Sequence, residues 1–205
     1  MWYGAGLLRS RDNIMSNTFL ISDTHFGHTN AWKTFKLDDG VTPLRPFTST
    51  EEMDYTMITN WNSVVRPQDK VYHLGDIAMC NATRLREIFY RLNGEKVLIK
   101  GNHDQGSLSL YAELFKDVRG SHMLDNLVMT HIPLHAASLL RWRGNIHGHL
   151  HNYSVRAPGF VNSKGMIMYK DGEDDPRYEC VSVERIDYTP IPFETINKRF
   201  KDRGI

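Results

Sequence analysis

The sequence has little of what marks secreted, membrane-spanning or strongly nucleic-acid-binding proteins. Cys80 and Cys180 are its only cysteines in 205 residues, so no disulfide framework is indicated and a reducing, cytoplasmic compartment is expected. No apolar run approaches the roughly 20 residues that a membrane helix needs, so no membrane partner is expected. The formal net charge of +1 excludes a strong overall field for nucleic acid, although a local patch would still suffice.

The length and composition indicate one soluble domain. Hydrophobic residues make up 40% of the chain and charged residues 24%, which is ordinary for a globular protein of this size. Residues 1–14 carry a short apolar patch followed by arginines, which is the wrong order for a secretory signal, and Met15 offers an alternative start. We therefore expect residues 1–14 to be an unstructured extension and residues 15–205 to form the domain.

Apolar strand patterns alternate with helical patterns through the first two thirds of the chain. The strand candidates are residues 18–21, 71–74, 97–100 and 127–130, followed by strand-like segments at 144–151 and 178–186. Ser49, followed by Glu52 three residues later, predicts a helix N-terminus. This order predicts an α/β fold with helices covering a sheet. The strand-rich last third indicates either a second sheet or antiparallel strands that extend the first.

Polar side chains follow four of the strand candidates at the point where each strand ends. They are Asp23, Asp76, Asn102 and His131. Ligands of open α/β sheets bind outside the carboxyl ends of the strands, so these groups should converge. His149 and His151 lie two residues apart, and a regular strand would place both on one face.

The converging groups are carboxylate, amide and imidazole, without thiolate. Such donors suit a first-row divalent ion, with manganese, iron or zinc as candidates. They outnumber the ligands that one ion needs, which favours two ions with a carboxylate as the bridge. Two ions about 3.5–4 Å apart can clamp the attacking and leaving oxygens of a displacement at phosphorus. The pattern therefore predicts hydrolysis of a phosphate ester.

Five short motifs, in this order, resemble the signature of the calcineurin-like metallophosphoesterases. They are Asp23-Thr24-His25, Gly75-Asp76, Gly101-Asn102-His103-Asp104, Thr130-His131 and Gly148-His149-Leu150-His151. The motifs span residues 23–151, and no ligand of the pattern is missing. The resemblance implies a four-layer αββα sandwich, in which two mixed β-sheets are flanked by helices. The chain is similar in size to the small single-domain bacterial and phage-borne members.

The resemblance also implies a role for each motif residue. One ion would be held by Asp23, His25, Asp76 and His151, and the other by Asp76, Asn102, His131 and His149. His103 would protonate the leaving oxygen or stabilise the transition state, and Asp104 would orient and charge-balance that imidazole. The nucleophile would be a metal-bound hydroxide, with manganese as the expected metal and iron, zinc or nickel as alternatives. The segment after Asp76 departs from the longer motif of protein Ser/Thr phosphatases, which argues against a protein substrate.

Three further residues are candidates for binding substrate. His28 would touch the substrate phosphate or, alternatively, serve as a structural histidine of its loop. Arg141 and Arg143 flank Trp142, and two cations around an aromatic ring would hold a phosphate and stack a base. A solvated loop with a packed tryptophan is the alternative for that segment. Arg45 belongs to no dense run of charge and is expected to be solvated.

Together these patterns predict a metal-dependent phosphoesterase that acts on small phosphomonoesters or phosphodiesters of nucleotide type. No extra capping domain is recognisable, so the site should be open. An open site would also admit a nucleic-acid end, which makes a nuclease the nearest enzymatic alternative. A non-catalytic scaffold with the same fold is the alternative from another class, although loss of ligands usually marks such proteins and none is lost here.

Overall fold

The computed structural model describes residues 16–158, 160–161, 167–169 and 172–205. The expected extension, residues 1–14, lies outside the described residues. The strands are β1 (Thr18–Ile21), β2 (Lys70–His73), β3 (Glu95–Ile99), β4 (Asp117–Arg119), β5 (His122–Leu124), β6 (Leu127–Met129), β7 (Gly144–His147), β8 (Phe160–Val161), β9 (Ile167–Tyr169), β10 (Tyr178–Cys180) and β11 (Ile191–Pro192). The α-helices are α1 (Thr29–Lys33), α2 (Thr50–Val64), α3 (Ala82–Phe89), α4 (Leu108–Leu114) and α5 (Phe193–Asp202), and 3-10 turns cover Ala136–Arg141 and Val183–Arg185.

Two mixed sheets form the centre of the structure. The first has the strand order β11-β1-β2-β3-β4, in which β1 to β4 run parallel and β11 is antiparallel to β1. The second has the order β10-β7-β6-β5, in which β10, β7 and β6 run parallel and β5 is antiparallel to β6. Strands β8 and β9 form a separate antiparallel pair. The predicted α/β class with two mixed sheets is confirmed. Both alternatives for the last third of the chain occur, because its strands β7 and β10 belong to the second sheet and its strand β11 extends the first sheet antiparallel.

Apolar side chains fill the layers between and outside the sheets. In β1, Phe19 and Ile21 join a cluster with helices α2 to α4, whereas Leu20 joins a cluster between the two sheets, as the two-residue period of a strand requires. Helix α5 closes the second cluster with Ile196 and Phe200. On the outer face of the second sheet, Val128 packs with the Ala136–Arg141 turn, so this helical layer is short.

Helix α2 begins where the sequence predicts. The Ser49 side chain accepts a hydrogen bond from the Glu52 N–H at 3.0 Å, which is half of the capping box. The Glu52 carboxylate does not return to Ser49 but accepts from the Thr48 N–H at 2.8 Å. Within the described residues, no helix is long and apolar enough to cross a membrane.

Two segments that the sequence predicts as long strands end early. Strand β7 stops at His147, because His149 (φ 67°) and His151 (φ 50°) adopt left-handed backbone conformations that a pleated strand does not allow. The expectation that both imidazoles share one strand face is therefore wrong, since they lie on a turn. The predicted strand at residues 178–186 is likewise interrupted after Cys180 and continues as a 3-10 turn.

Candidate metal centre

The ends of the parallel strands bring two groups of donors together. Within each group the candidate ligand atoms lie within 4.8 Å of one another, and the groups are Asp23, His25 and His151, and Asp76, His131 and His149. Asp76 lies between the groups, because its Oδ2 is 3.8 Å from His25 Nε2 and 3.3 Å from His131 Nε2. The structure thus gathers the predicted ligands, with Asp76 in the shared position.

The second group of donors, Asp76, His131 and His149, is arranged as in a site that binds a cation. His131 Nδ1 lies 2.7 Å from the Leu74 carbonyl oxygen, so this nitrogen carries the donated proton. The other ring nitrogen, Nε2, faces Asn102 Oδ1 at 2.9 Å and Asp76 Oδ2 at 3.3 Å. In the neutral imidazole these three atoms present lone pairs to one another. Lone pairs this close repel one another unless a proton or a metal ion lies between them. Asn102 therefore lies with this group, as the sequence predicts.

The first group contains buried polar atoms that lack partners. Asp23 Oδ2 accepts hydrogen bonds from the His149 N–H at 2.9 Å and the Ser182 hydroxyl at 2.7 Å. Asp23 Oδ1 and His25 Nδ1 are buried, and no described residue hydrogen-bonds to either. Burial raises the pKa of the Asp23 carboxyl, because an isolated carboxylate is costly away from water. A bound cation would satisfy Asp23 Oδ1, so the residues present fit a divalent metal ion.

Backbone strain is concentrated at the same residues. Five of the nine non-glycine residues with positive φ in the described ranges are predicted ligands, namely Asp23, His25, Asp76, His149 and His151. A side chain in this conformation costs on the order of 1 kcal/mol or more, and such strain clusters at functional sites. The left-handed turns after the strands aim these side chains into one place, which a continued strand would not do.

Two motif glycines permit the close approach of the loops. A Cβ atom at Gly101 would collide with the carboxylate and the backbone nitrogen of Asp76. A Cβ atom at Gly148 would collide with the side chains of Ser22 and Asp23. The loops after β2 and β3 therefore approach each other only because Gly101 carries no side chain, and the loops after β1 and β7, from different sheets, meet only because Gly148 carries none.

Burial and charge keep His25 in the form that binds metals. Burial is the main cause that lowers the pKa of His25, and the positive charge of Arg45 lowers it further. Metal ions bind the deprotonated imidazole nitrogen, so His25 is available as a ligand near neutral pH.

His103 lies at the opening of the centre. Its side chain is exposed, and the ring centroid is 5.7 Å from that of His25. Its backbone N–H donates to Asp76 Oδ1 at 2.8 Å, so the main chain braces the shared carboxylate while the imidazole stays accessible. This placement suits a group that acts on substrate.

Asp104 does not orient His103, and that part of the prediction is wrong. Its buried carboxylate accepts three backbone hydrogen bonds, from the N–H groups of Asp76 at 2.9 Å, Ile77 at 2.9 Å and Gly101 at 2.8 Å. Both carboxylate oxygens are thus occupied by the loops that follow β2 and β3. Asp104 is a positioning residue that ties these two loops together.

The change Asp104→Ala is expected to lower the free energy of unfolding by about 3 kcal/mol or more, because three buried N–H groups would lose their acceptor. Urea denaturation followed by circular dichroism measures the loss. Asp39→Ala is the matched control, since Asp39 accepts from the N–H groups of Val41 and Thr42 but is exposed, so water can replace it. Equal losses of unfolding free energy in the two variants would contradict the role of Asp104 in joining the two loops.

A buried ion-pair network, which sequence reasoning missed, supports the first group. The Arg45 guanidinium is buried and donates to Glu184 Oε1 at 2.7 Å, to the Thr24 carbonyl at 2.8 Å and to the Asp23 carbonyl at 2.6 Å. Glu184 Oε1 also lies 3.1 Å from His151 Nδ1. The expectation that Arg45 is solvated is wrong. Glu184 stands 33 residues from His151 and in no motif, so spacing could not reveal it.

The network fixes the orientation of the His151 imidazole. Burial alone would raise the pKa of Glu184, but the charges of Arg45 and His151 lower it to about 2. Burial alone would lower the pKa of His151, but the hydrogen bond and the charge of Glu184 raise it. A carboxylate that accepts from Nδ1–H leaves Nε2 free for a metal, as in many metal sites.

The change Glu184→Gln is expected to weaken binding of one metal ion by about 10–100-fold, the usual effect of removing an outer carboxylate. It should also lower the free energy of unfolding by about 3 kcal/mol, because Arg45 would remain buried without a counter-charge. Isothermal titration with Mn²⁺ and thermal denaturation measure the two effects. Glu179→Gln is the control, because its partners Arg199 and Arg203 are partly exposed and water can screen them. Unchanged metal affinity in Glu184→Gln would rule out the orienting role.

His28 lies beside the first group, and its role as a substrate contact stays a prediction. Its ring centroid is 5.6 Å from that of His25 and 5.5 Å from that of Phe35. Burial and the charge of Arg45 lower its pKa, which favours the neutral ring. His28 Nδ1 is buried without a partner among the described residues.

Arg143 and Arg141 lie at the wrong end of the second sheet, and their prediction as substrate contacts is wrong. Arg143 precedes β7, whereas the ligands follow it, and its guanidinium donates to the Ile205 carbonyl at 2.7 Å and to Asn197 Oδ1 at 3.1 Å. Arg141 is exposed at the end of the preceding 3-10 turn. Trp142 between them packs against the outer apolar cluster of this sheet, so the alternative of a packed tryptophan is confirmed.

Comparison with known proteins finds relatives whose names state no activity. No family model matches the chain. The chain is 36% identical over 186 residues to the uncharacterized protein MJ1445 of Methanocaldococcus jannaschii, which covers 90% of this chain and 91% of that protein. It is 37% identical over 93 residues to the gene 66 protein of Mycobacterium phage L5, covering 44% of this chain and 41% of that protein. The crystal structure of the protein of unknown function AQ665 from Aquifex aeolicus is similar with a TM-score of 0.63 and 26% identity, over 90% of this chain and 99% of that one.

Proposed function

Because the chain belongs to the same family as the uncharacterized MJ1445 protein, whose name states no activity, we propose its function from the site itself. It is a divalent-metal-dependent hydrolase of phosphate esters, of the calcineurin-like metallophosphoesterase type. The supporting observation is the pair of adjoining donor groups that share Asp76. The substrates are small phosphomonoesters or phosphodiesters of nucleotide type, and the compartment is the cytoplasm.

Two divalent ions, with manganese first and iron, zinc or nickel as alternatives, are the proposed cofactors. Asp23, His25, Asp76 and His151 would hold one ion, and Asp76, Asn102, His131 and His149 the other. When bound, such ions supply Lewis acidity to the phosphate oxygens and lower the pKa of water toward neutrality. Carboxylate, amide and imidazole donors without thiolate suit these metals.

The remaining chemistry belongs to side chains at the opening. His103 is exposed beside His25, and its imidazole would donate a proton to the leaving oxygen of the ester. Its position depends on Asp104, which holds the loops after β2 and β3 at a fixed separation. His28, whose ring also lies near His25, would donate a hydrogen bond to a non-bridging phosphate oxygen.

Hydrolysis of p-nitrophenyl phosphate and bis-p-nitrophenyl phosphate tests the proposal. The protein is stripped of metal and then receives Mn²⁺, Zn²⁺, Mg²⁺ or Ni²⁺ in turn, beside an untreated sample. Turnover that disappears with the metal and returns with one of these ions supports the function, and the ratio of the two rates separates monoester from diester preference. A folded protein that binds two ions but hydrolyses neither ester nor any nucleotide would contradict an enzymatic role and favour a scaffold.

A further inference from the structure

A pocket of about 470 Å³ opens directly beside His103. Its walls come from the loops at residues 77–81 and 103–106 and from the facing residues of helix α4. These are the loops that follow Asp76 and Asn102 and that Asp104 ties together. The pocket therefore adjoins the donor groups through His103, and its volume falls within the roughly 300–1,000 Å³ of small-molecule sites.

The walls of this pocket are mostly apolar. Ala78, Met79 and Cys80 form one side, and Leu110 and Tyr111 form the other. Met79 is 43% exposed, so its thioether is available to a ligand. Burial raises the pKa of the Cys80 thiol to about 11, which keeps this side of the pocket uncharged. A flexible methionine and a thiol make a polarizable surface that suits a flat ring.

Apart from the His103 imidazole, which is assigned to the leaving oxygen, no described residue of the pocket offers a counter-charge to an anion. None of the described residues that line it is a lysine or an arginine. Its one carboxylate, Asp104, already accepts three backbone hydrogen bonds. Arg84, whose charge acts on Cys80, is paired with Asp54 at 3.2 Å and with Glu87 at 3.3 Å. A charged leaving group would thus lose hydration here without gaining an ionic partner.

We propose that this pocket binds the leaving alcohol of the phosphate ester, and that this alcohol is uncharged and carries an apolar or heteroaromatic ring. A proton donor must lie within hydrogen-bond reach of the leaving oxygen, so the group on that oxygen lies next to His103, where the pocket opens. The inference rests on the proposed function and narrows its substrate class. A leaving group that itself carries phosphate, such as a nucleic-acid strand, is disfavoured.

Two aryl phosphates test the charge preference in the metal-loaded protein. One has an uncharged ring, and the other carries a ring carboxylate but has a leaving phenol of the same pKa, so only the pocket distinguishes them. We expect kcat/KM to favour the uncharged ester by about tenfold or more, the scale on which a pocket discriminates poorly fitting groups. Equal values would overturn the proposal.

Variants at Met79 assign the preference to this pocket. Met79→Glu should raise KM for the uncharged ester by about tenfold, and Met79→Lys should raise kcat/KM for the carboxylate ester by a similar factor. Leu140→Glu is the control, because Leu140 is 89% exposed on the 3-10 turn outside the second sheet. If the Met79 variants change the kinetics of both esters equally, or if Leu140→Glu causes the same changes, the pocket is excluded as the origin of the preference.

Binding of phosphonates separates this inference from the proposed function. Phenylphosphonate and methylphosphonate cannot be hydrolysed at the P–C bond, so isothermal titration reports the pocket even when no ester turns over. Tighter binding of phenylphosphonate, lost in Met79→Glu and retained in Leu140→Glu, supports the pocket whatever the activity. Equal affinity for the two phosphonates in the wild-type protein overturns it, even if simple esters are hydrolysed.

Discussion

The change Asp76→Asn is expected to reduce metal-dependent turnover by about 10³-fold or more, or ~4 kcal/mol of transition-state stabilisation. Asp76 Oδ2 faces imidazoles of both donor groups, at 3.8 Å from His25 and 3.3 Å from His131. A neutral amide cannot compensate the charge of two neighbouring cations as a carboxylate does. Metal content per chain and kcat/KM, measured on the same sample, should fall together.

The fold should survive this substitution. Asparagine tolerates the left-handed backbone that Asp76 adopts, and its Oδ1 can still accept from the His103 N–H. Asp125→Asn is the matched control, because Asp125 also has a positive φ but lies in an exposed turn beside Arg143. An active, two-metal Asp76→Asn protein would refute the shared position, whereas an unfolded one would show a structural role instead.

The second large effect is expected at His103. His103→Ala should lower kcat by about 10²–10⁴-fold, the usual contribution of a positioned proton donor. Metal content should not change, because the variant keeps the backbone N–H that binds Asp76 and removes only an exposed ring. The loss should be largest for esters with a poor leaving group, since these depend most on protonation of the leaving oxygen.

A series of aryl phosphates with increasing phenol pKa measures that dependence. The plot of log kcat against leaving-group pKa should be steeper for His103→Ala than for the wild-type protein. His135→Ala is the control, because His135 is an exposed histidine at the start of the 3-10 turn. Parallel plots for His103→Ala and the wild type would show that His103 does not act on the leaving group.

Sequence patterns sufficed to predict which donor side chains lie together, because strand direction places them. Asp23, Asp76 and Asn102 follow the parallel strands β1, β2 and β3, which deliver their carboxyl ends to one edge of the first sheet, and His131 follows β6 of the second sheet. The same rule explains why the prediction for Arg143 is wrong. Arg143 precedes β7, so it lies at the opposite edge of the second sheet. His149 and His151 reach the site by left-handed turns that alternation along a strand does not predict.

The supporting groups were not predictable from spacing. Arg45 and Glu184 are distant in the chain, and only the folded structure buries them together. The role of Asp104 was misjudged because its neighbour in sequence, His103, is not its partner in space. Its partners are the backbone amides of Gly101 in its own loop and of Asp76 and Ile77 in another, which no side-chain motif encodes.

Anomalous scattering from a crystal of the protein grown with Mn²⁺ tests the two-metal site most directly. We expect two anomalous peaks on either side of the Asp76 carboxylate, about 3.5–4 Å apart as in other two-metal sites. One peak should contact Asp23, His25 and His151, and the other Asn102, His131 and His149. A single peak, or none at these residues in a folded protein saturated with Mn²⁺, would contradict the account.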